Sequence, residues 1–421
     1  MTGALILLGM LAVLLTLRQP LLVILLAAAA VVHIVWGKGQ LDYILEDMWI
    51  SLDKELILSI PMFILCGGVM TKGSTARRLI GIAASLTEQL PGGLAVACVL
   101  SCGVFAAISG SSIVTMLAIG TVMLPAMING GYSSRFSLGV VMAGGTLGII
   151  IPPSIPLILY GLVTETSITE LFIAGVGPGL LLLLAFSLYA MWVNRALPRK
   201  DFDLARVGAA LREGIWALLM PVILLGGIYT GYFSAIEAAA VSLVYALLVE
   251  TFIHREFKLK DFYAVVLDAS KLGGTLFPLL AVALSLNLVL TEHQVPGMMV
   301  EMMKGFTTSP LAFMLVVNAL LLIVGALMTS GEAILILGPL LAPLAMAYGY
   351  DKVLFGIIMI VNLEIGFLTP PVGLNLLVAM STFKRRFGEL VVAAVPFIVL
   401  MLGCLAIIAW QPWIAMTLVG R

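Results

Sequence analysis

Three hydroxyls surround a glycine in Phe105-Ala106-Ala107-Ile108-Ser109-Gly110-Ser111-Ser112, inside an otherwise apolar run. Gly costs about 1 kcal/mol relative to Ala within a helix, and Ser diverts to local backbone bonding. The helix is expected to break there. In lipid, the freed backbone groups must be satisfied by protein or by a water-lined cavity. Such a break frees carbonyl oxygens and adds hydroxyls, a set of hard oxygen ligands suited to small cations. The competing reading is a small-residue face for helix packing.

Gly148-Ile149-Ile150-Ile151-Pro152-Pro153-Ser154 is more specific. Consecutive prolines remove two donors and disfavour helix before them, yet proline suits the first turn of a new helix. The segment reads as half-helix, extended turn, half-helix, and is expected to be the tip of a re-entrant hairpin. A kinked span or a surface loop is the alternative. A second copy runs Gly366-Phe367-Leu368-Thr369-Pro370-Pro371, followed by Val372-Gly373-Leu374-Asn375. Thr369 adds a hydroxyl, and Asn375 adds an amide able to donate to a substrate oxygen.

The two copies lie 218 residues apart. The same spacing, without a gap, takes Ser111 to Thr329, Ser112 to Ser330, Gly120 to Gly338, Pro125 to Pro343 and Gly131-Tyr132 to Gly349-Tyr350. Gly325-Ala326-Leu327-Met328-Thr329-Ser330 is therefore the partner of the Ser-rich break. Two such units suggest a transporter built from repeats. The halves are taken as 1–210 and 211–421, with the paired motifs within about 93–163 and 311–380. The spacing permits parallel or inverted copies. Inverted copies, the expected case, place the site near the midplane.

The elements that must position these motifs are membrane helices. The chain has 421 residues, 62% hydrophobic and 10% charged, against about 25% charged in a soluble domain. A crossing needs about 20 apolar residues. Continuous Leu, Ile, Val and Ala runs argue for helices over barrel strands. The expected fold is all-α and polytopic, with about eleven to twelve transmembrane helices and two re-entrant hairpins. Met1-Thr2-Gly3-Ala4 lacks the positive region of a cleaved signal peptide, so the run 2–17 is expected to remain as a helix. Segments 40–58 and 257–271 are expected to lie at the interface. One basic loop holds Arg195, Arg199, Lys200, Arg206 and Arg212, and another His254, Arg255, Lys258 and Lys260. The positive-inside bias places both in the cytoplasm.

Glu237, Glu332 and Glu364 are ionisable groups within apolar segments, each a proton site, a partner for a cation, or a structural carboxylate. His33, near a helix end, is expected at the interface. Cys66, Cys98, Cys102 and Cys404 all sit in apolar runs and read as small buried hydrophobes. Net charge is zero, so nothing points to nucleic acid. A phosphate-binding Gly-x4-Gly-Lys-Ser/Thr loop, His-Glu-x2-His and Gly-x-Ser-x-Gly are all missing, which leaves ATP hydrolysis, metalloprotease and esterase chemistry without support.

The Ser-Gly-Ser-Ser break, Leu147-Gly148-Ile149-Ile150-Ile151-Pro152-Pro153-Ser154, and Asn362-Leu363-Glu364-Ile365-Gly366-Phe367-Leu368-Thr369-Pro370-Pro371-Val372-Gly373-Leu374-Asn375 resemble the large membrane subunit of TRAP (tripartite ATP-independent periplasmic) transporters. The resemblance runs over essentially the full length. It implies a non-enzymatic, sodium-coupled importer of organic acids in the bacterial inner membrane, moving as an elevator. It implies two partners, a small four-helix membrane subunit, expected as a separate chain, and a periplasmic substrate-binding protein. Sodium is the coupling ion and no further cofactor is expected. One sodium site would use oxygens near Ala106, Ser109, Gly148, Ile151 and Pro153. The other would use Gly325, Gly366, Thr369 and Val372. The substrate carboxylate, from a C4-dicarboxylate, a sialic or sugar acid or a keto acid, is expected against Ser111, Ser112, Thr329, Ser330 and Asn375. Ser154 and Asn362 complete the candidates. Two positions depart from the family: Thr329 stands where Asp is frequent, and Glu332 where Pro or a small residue is expected. The nearest rival is a self-sufficient dicarboxylate elevator symporter. A membrane-embedded enzyme would need a converging polar set that the sequence does not show.

Overall fold

The computed structural model describes residues 9–10, 13–14, 17, 19–35 and 42–420. The expected first helix, 2–17, falls largely outside the described residues. The described chain is helical, with no strand: α1 (Leu21–Val35), α2 (Asp42–Leu52), α3 (Ser59–Lys72), α4 (Thr75–Thr87), α5 (Gly93–Ser109), α6 (Ser112–Asn129), α7 (Ser134–Ile150), α8 (Ile155–Thr164), α9 (Ile168–Val193), α10 (Leu204–Tyr229), α11 (Ala235–Leu248), α12 (Leu259–Glu292), α13 (Val295–Phe306), α14 (Pro310–Gly325), α15 (Ser330–Ala347), α16 (Lys352–Phe367), α17 (Leu374–Phe383), α18 (Phe387–Trp410) and the single turn α19 (Trp413–Met416). Among the described residues, nine helices are long and apolar enough to cross a bilayer, or ten if the bent pair α13–α14 counts as one span. Three more apolar runs of the sequence fold as shorter helices, α1, α5 and α17.

Side chains rather than chance set many of the helix starts. Ser133, Ser167, Asp203, Ser234, Ser309 and Asp351 each accept a backbone N–H from the first turn of the helix they precede, satisfying donors that have no intrahelical partner. Glu237 completes a reciprocal cap with Ser234 at the exposed start of α11, so this carboxylate serves the helix end.

The 218-residue spacing carries through the element bounds. It takes α6 onto α15 residue for residue, and brings α5, α7, α8 and α9 within two residues of the bounds of α14, α16, α17 and α18. It also takes α2 and α3 onto the two halves of α12. The first copy is interrupted at Asp53-Lys54, whereas the second runs unbroken for 34 residues. The segment 257–271, expected as a separate interfacial helix, is instead mostly the start of that long helix: no Pro or Gly interrupts 259–272.

The re-entrant turns are not where the prolines suggest. Residues Ser134–Thr164 run as one span of 31 residues, so Pro152-Pro153 breaks a crossing in line and does not form a hairpin tip. The chain reverses at the Ser-rich break, because α5 and α6 pack along each other. The physical reason is Gly110, at φ 58°. That left-handed conformation suits glycine and turns the chain in two residues, whereas prolines start a new helix on the same axis.

Both basic loops meet one short helix. Glu250, fully buried in a π-turn at the end of α11, accepts the backbone N–H groups of Ser74 and Thr75 at 3.0 Å each. At the other end of α4, Glu88 pairs with Lys200 at 3.1 Å and Arg206 at 2.7 Å. A helix of 13 residues spans about 20 Å, too short to cross the hydrocarbon core, so α4 joins two loops on one face. Both basic loops therefore lie on one side of the helical bundle. His33, expected at an interface, is 2% exposed and lies 3.5 Å from Asp47 of α2. All four cysteines are free and buried.

Candidate substrate and ion site

Each Ser/Thr break lies against the Pro-Pro break of its own half. The Gly110 carbonyl accepts from the Ile155 N–H at 3.5 Å, and the Ala326 carbonyl accepts from Val372 and Gly373 at 3.2 Å each. The approach needs glycine. A Cβ on Gly148 would strike the Ser111 carbonyl and the Thr115 hydroxyl, and one on Gly366 would strike the backbone of Gly325 and Ala326. These two glycines hold equivalent places in the repeat.

Residues of the first expected ion set lie along these breaks. Gly148 faces the Thr115 hydroxyl that bonds Ser109, Pro153 places its carbonyl against Gly110, Ile151 follows the last residue of α7, and Ala106 accepts the Gly110 N–H at 3.2 Å. In the second half Gly325 faces Gly366, the Thr369 N–H bonds to the Gly366 carbonyl at 2.9 Å, and Val372 bonds to Ala326. Carbonyl oxygens keep a second lone pair when they accept one bond, so both junctions offer oxygen ligands. Among the described residues no three His, Cys, Asp or Glu side chains cluster as a metal site.

Between the junctions lies a cavity of about 180 Å³. Four helix starts line it: α6 through Ser111, Ser112 and Ile113, α8 through Ile155 and Pro156, α15 through Thr329, Ser330 and Gly331, and α17 through Leu374. Each helix N-terminus carries roughly half a positive charge, so the cavity favours an anionic group. The Ser111 and Thr329 hydroxyls accept the N–H groups of Val114 at 3.5 Å and Glu332 at 3.3 Å, which leaves their own O–H protons to donate. Ile64 of α3 and Leu272 and Leu276 of α12 close the apolar wall.

Not every predicted residue reaches the cavity. Ser154 is buried and caps α8 through Leu157 at 3.4 Å. Asn362 is buried on another face of α16, donating to the Asn318 carbonyl at 3.1 Å. Asn375 stands just behind the cavity wall, its Nδ2 donating to Ser112 Oγ at 2.7 Å. Glu332 is committed to the start of α15, its carboxylate accepting the Thr329 N–H at 3.0 Å. Glu364 is fully buried on α16, and among the described residues neither of its oxygens has a hydrogen-bond donor.

Sequence reasoning missed Thr115, whose hydroxyl shares a 2.6 Å hydrogen bond with Ser109. It also missed the apolar wall from α3 and α12. The helical spacing of Ser111, Ser112 and Thr115 carried a signal for the first. Nothing local marks the second.

The family model for the DctM component of the tripartite ATP-independent periplasmic transporters matches residues 8–414. The chain is 43% identical over 367 residues to the C4-dicarboxylate TRAP transporter large permease protein DctM of Pseudomonas aeruginosa, covering 86% of each chain. It is 36% identical over 435 residues to the protein of the same name from Rhodobacter capsulatus, covering 99% of this chain and 98% of that one. It is 39% identical over 419 residues to the isethionate TRAP transporter permease protein DctMQ of Oleidesulfovibrio alaskensis, covering 99% of this chain and 66% of that longer protein. Among solved structures, the YdaH transporter of Alcanivorax borkumensis superposes with a TM-score of 0.61 at 16% identity, over 90% of this chain and 91% of that one. MtrF of Neisseria gonorrhoeae gives 0.58 at 12%, over 91% and 85%. These two share the fold of membrane transporters. With a full-length family match, relatives above one-third identity and paired helix breaks around one cavity, the chain belongs to the DctM component family of TRAP transporters, a multi-pass permease of the inner membrane.

Proposed function

We propose that this chain is the membrane pathway of a sodium-coupled carrier that imports an organic acid. The convergence of four helix N-termini on one cavity carries this reading. The positive helix ends and the hydroxyls of Ser111, Ser112, Thr329 and Ser330 favour an oxyanion, and the flanking backbone junctions supply ligands for sodium. Two cations beside the cavity offset the charge of the acid and couple its entry to the sodium gradient.

The relatives carry C4-dicarboxylate, isethionate and ectoine in their names. A C4-dicarboxylate heads the candidates here, because three relatives of comparable length, 36%, 40% and 43% identical, bear that name. A periplasmic binding protein delivers the acid and a small membrane subunit steadies the scaffold. The helices α5–α8 and α14–α17 move together as an elevator past α3 and α12, which close the cavity with Ile64, Leu272 and Leu276.

A bulky side chain tests the cavity. In Ser330→Leu, uptake should fall by at least about tenfold, while membrane insertion and melting in detergent stay near wild type. Full uptake by a folded Ser330→Leu protein would remove the cavity from the pathway.

A further inference from the structure

We propose that Glu332 is a specificity-determining residue of the cavity, setting its α15 side against a second negative charge on the substrate. The two halves of the repeat differ in charge at their matching helix starts. The 218-residue spacing takes Val114 to Glu332, so the third residue after the capping hydroxyl is apolar in α6 and acidic in α15. Ser111 caps α6 through the Val114 N–H at 3.5 Å. Thr329 caps α15 in the same way, through the Glu332 N–H at 3.3 Å, and Glu332 returns its carboxylate to the Thr329 N–H at 3.0 Å. Of the four helix starts on the cavity, α15 alone carries an acidic residue in its first turn. No Lys, Arg or His among the described residues forms an ion pair with Glu332.

Charge therefore varies across the cavity. A helix N-terminus contributes roughly half a positive charge, and a carboxylate beside it a full negative one. The starts of α6, α8 and α17 stay positive, whereas that of α15 is negative on balance. A substrate carboxylate is drawn to the hydroxyls of Ser111 and Ser112. The group at its other end meets Thr329 and Ser330, next to the Glu332 carboxylate. That side suits a hydrogen-bond donor such as an amide or a hydroxyl, because the Thr329 and Ser330 oxygens keep lone pairs to accept it. A second carboxylate there meets a like charge. Glu332 thus grades organic acids by the charge at their far end: a dicarboxylate binds at a penalty that its monoamide escapes.

This inference rests on the reading of the cavity as the site of an organic acid, and one pair of probes separates the two. Succinate and succinamate, its monoamide, match in length and differ by one negative charge. Their affinities for the full chain in nanodiscs are measured by calorimetric titration at one saturating sodium concentration, for wild type and for Glu332→Gln. Glutamine keeps the reciprocal cap and removes the charge. The variant is expected to shift the ratio of affinities toward succinate by at least about fivefold, as for two like charges within about 10 Å inside a protein. An unchanged ratio in the folded variant overturns the inference and leaves Glu332 as a helix cap alone. A wild type that binds neither compound overturns the four-carbon acid that heads the candidates, and the inference falls with it. Should Glu332→Gln not fold, Val114→Glu serves instead, because it places the same carboxylate at the start of α6: succinamate affinity falls by at least about fivefold, and unchanged affinity overturns the inference.

Discussion

The side-chain amide of Asn375 donates to the hydroxyl of Ser112 at 2.7 Å, across 263 residues of sequence. Asn375 opens α17 in the second half and Ser112 opens α6 in the first. The bond therefore fixes two helix starts that flank the cavity, and a change on either side reaches both halves. Removing one partner leaves the other buried and unpaired, which costs about 1–3 kcal/mol. Asn375→Ala and Ser112→Ala should each lower the melting temperature in detergent and reduce uptake. The double variant should be less affected than the sum of the two. Additive losses in a double-mutant cycle would show that the pair does not act as a unit.

Gly148 and Gly366 make a second symmetric prediction. A methyl group at either position meets backbone that cannot step aside. Overpacking of this kind costs about 1–3 kcal/mol, and here the strain falls on the junctions that supply the ion ligands. Gly148→Ala and Gly366→Ala should insert into the membrane yet lose sodium-dependent stabilisation in a melting assay. Gly226 and Gly403, whose Cβ positions are open, are the controls, and alanine there should leave that stabilisation intact.

The two proline pairs predict a loss of transport without loss of insertion. Pro152 and Pro370 interrupt α7–α8 and α16–α17 at the level of the cavity. Alanine restores a backbone donor and lets a helix continue through the break. Pro370→Ala should abolish uptake while surface labelling and protein amount stay at wild-type levels. Normal uptake would mean that the break is not needed for the ion junction.

Glu250 predicts a purely structural effect. Its carboxylate caps α4 by accepting two backbone N–H groups and the hydroxyls of Ser74 and Thr75. Glu250→Ala strips those donors and should destabilise the protein by about 3 kcal/mol or more, since several buried groups lose a charged acceptor. Glu237→Ala, at an exposed cap, should destabilise far less, because solvent can replace the lost acceptor. Unfolding in denaturant, followed by intrinsic fluorescence, gives the comparison.

Much of this arrangement was legible in the residues, and what was not had a common cause. The spacing from Gly148 to Gly366 revealed the repeat because both copies keep the glycine and the proline pair that their junctions need. Hydroxyls beside Gly110 and at Thr329 marked the breaks because helix propensity is local. The direction of the chain after each break was not legible. Glycine in a left-handed turn and proline at a first helical turn both end a helix, and only their backbone angles separate a reversal from an in-line step. Long-range partners were also hidden. Glu250 and Ser74 are 176 residues apart, and nothing in their neighbourhoods announces the contact. Asn362 looked like a site residue from its place in a motif, yet it turns to Asn318 of α14, since motif membership does not give the face of the helix.

The most direct test is reconstitution. The chain, a small membrane subunit and a periplasmic binding protein are combined in proteoliposomes with a labelled C4-dicarboxylate, with and without an inward sodium gradient, and each component is omitted in turn. Uptake that requires all three proteins and collapses without sodium is the predicted result. Uptake by this chain alone, or at the same rate without sodium, would contradict a sodium-coupled tripartite carrier.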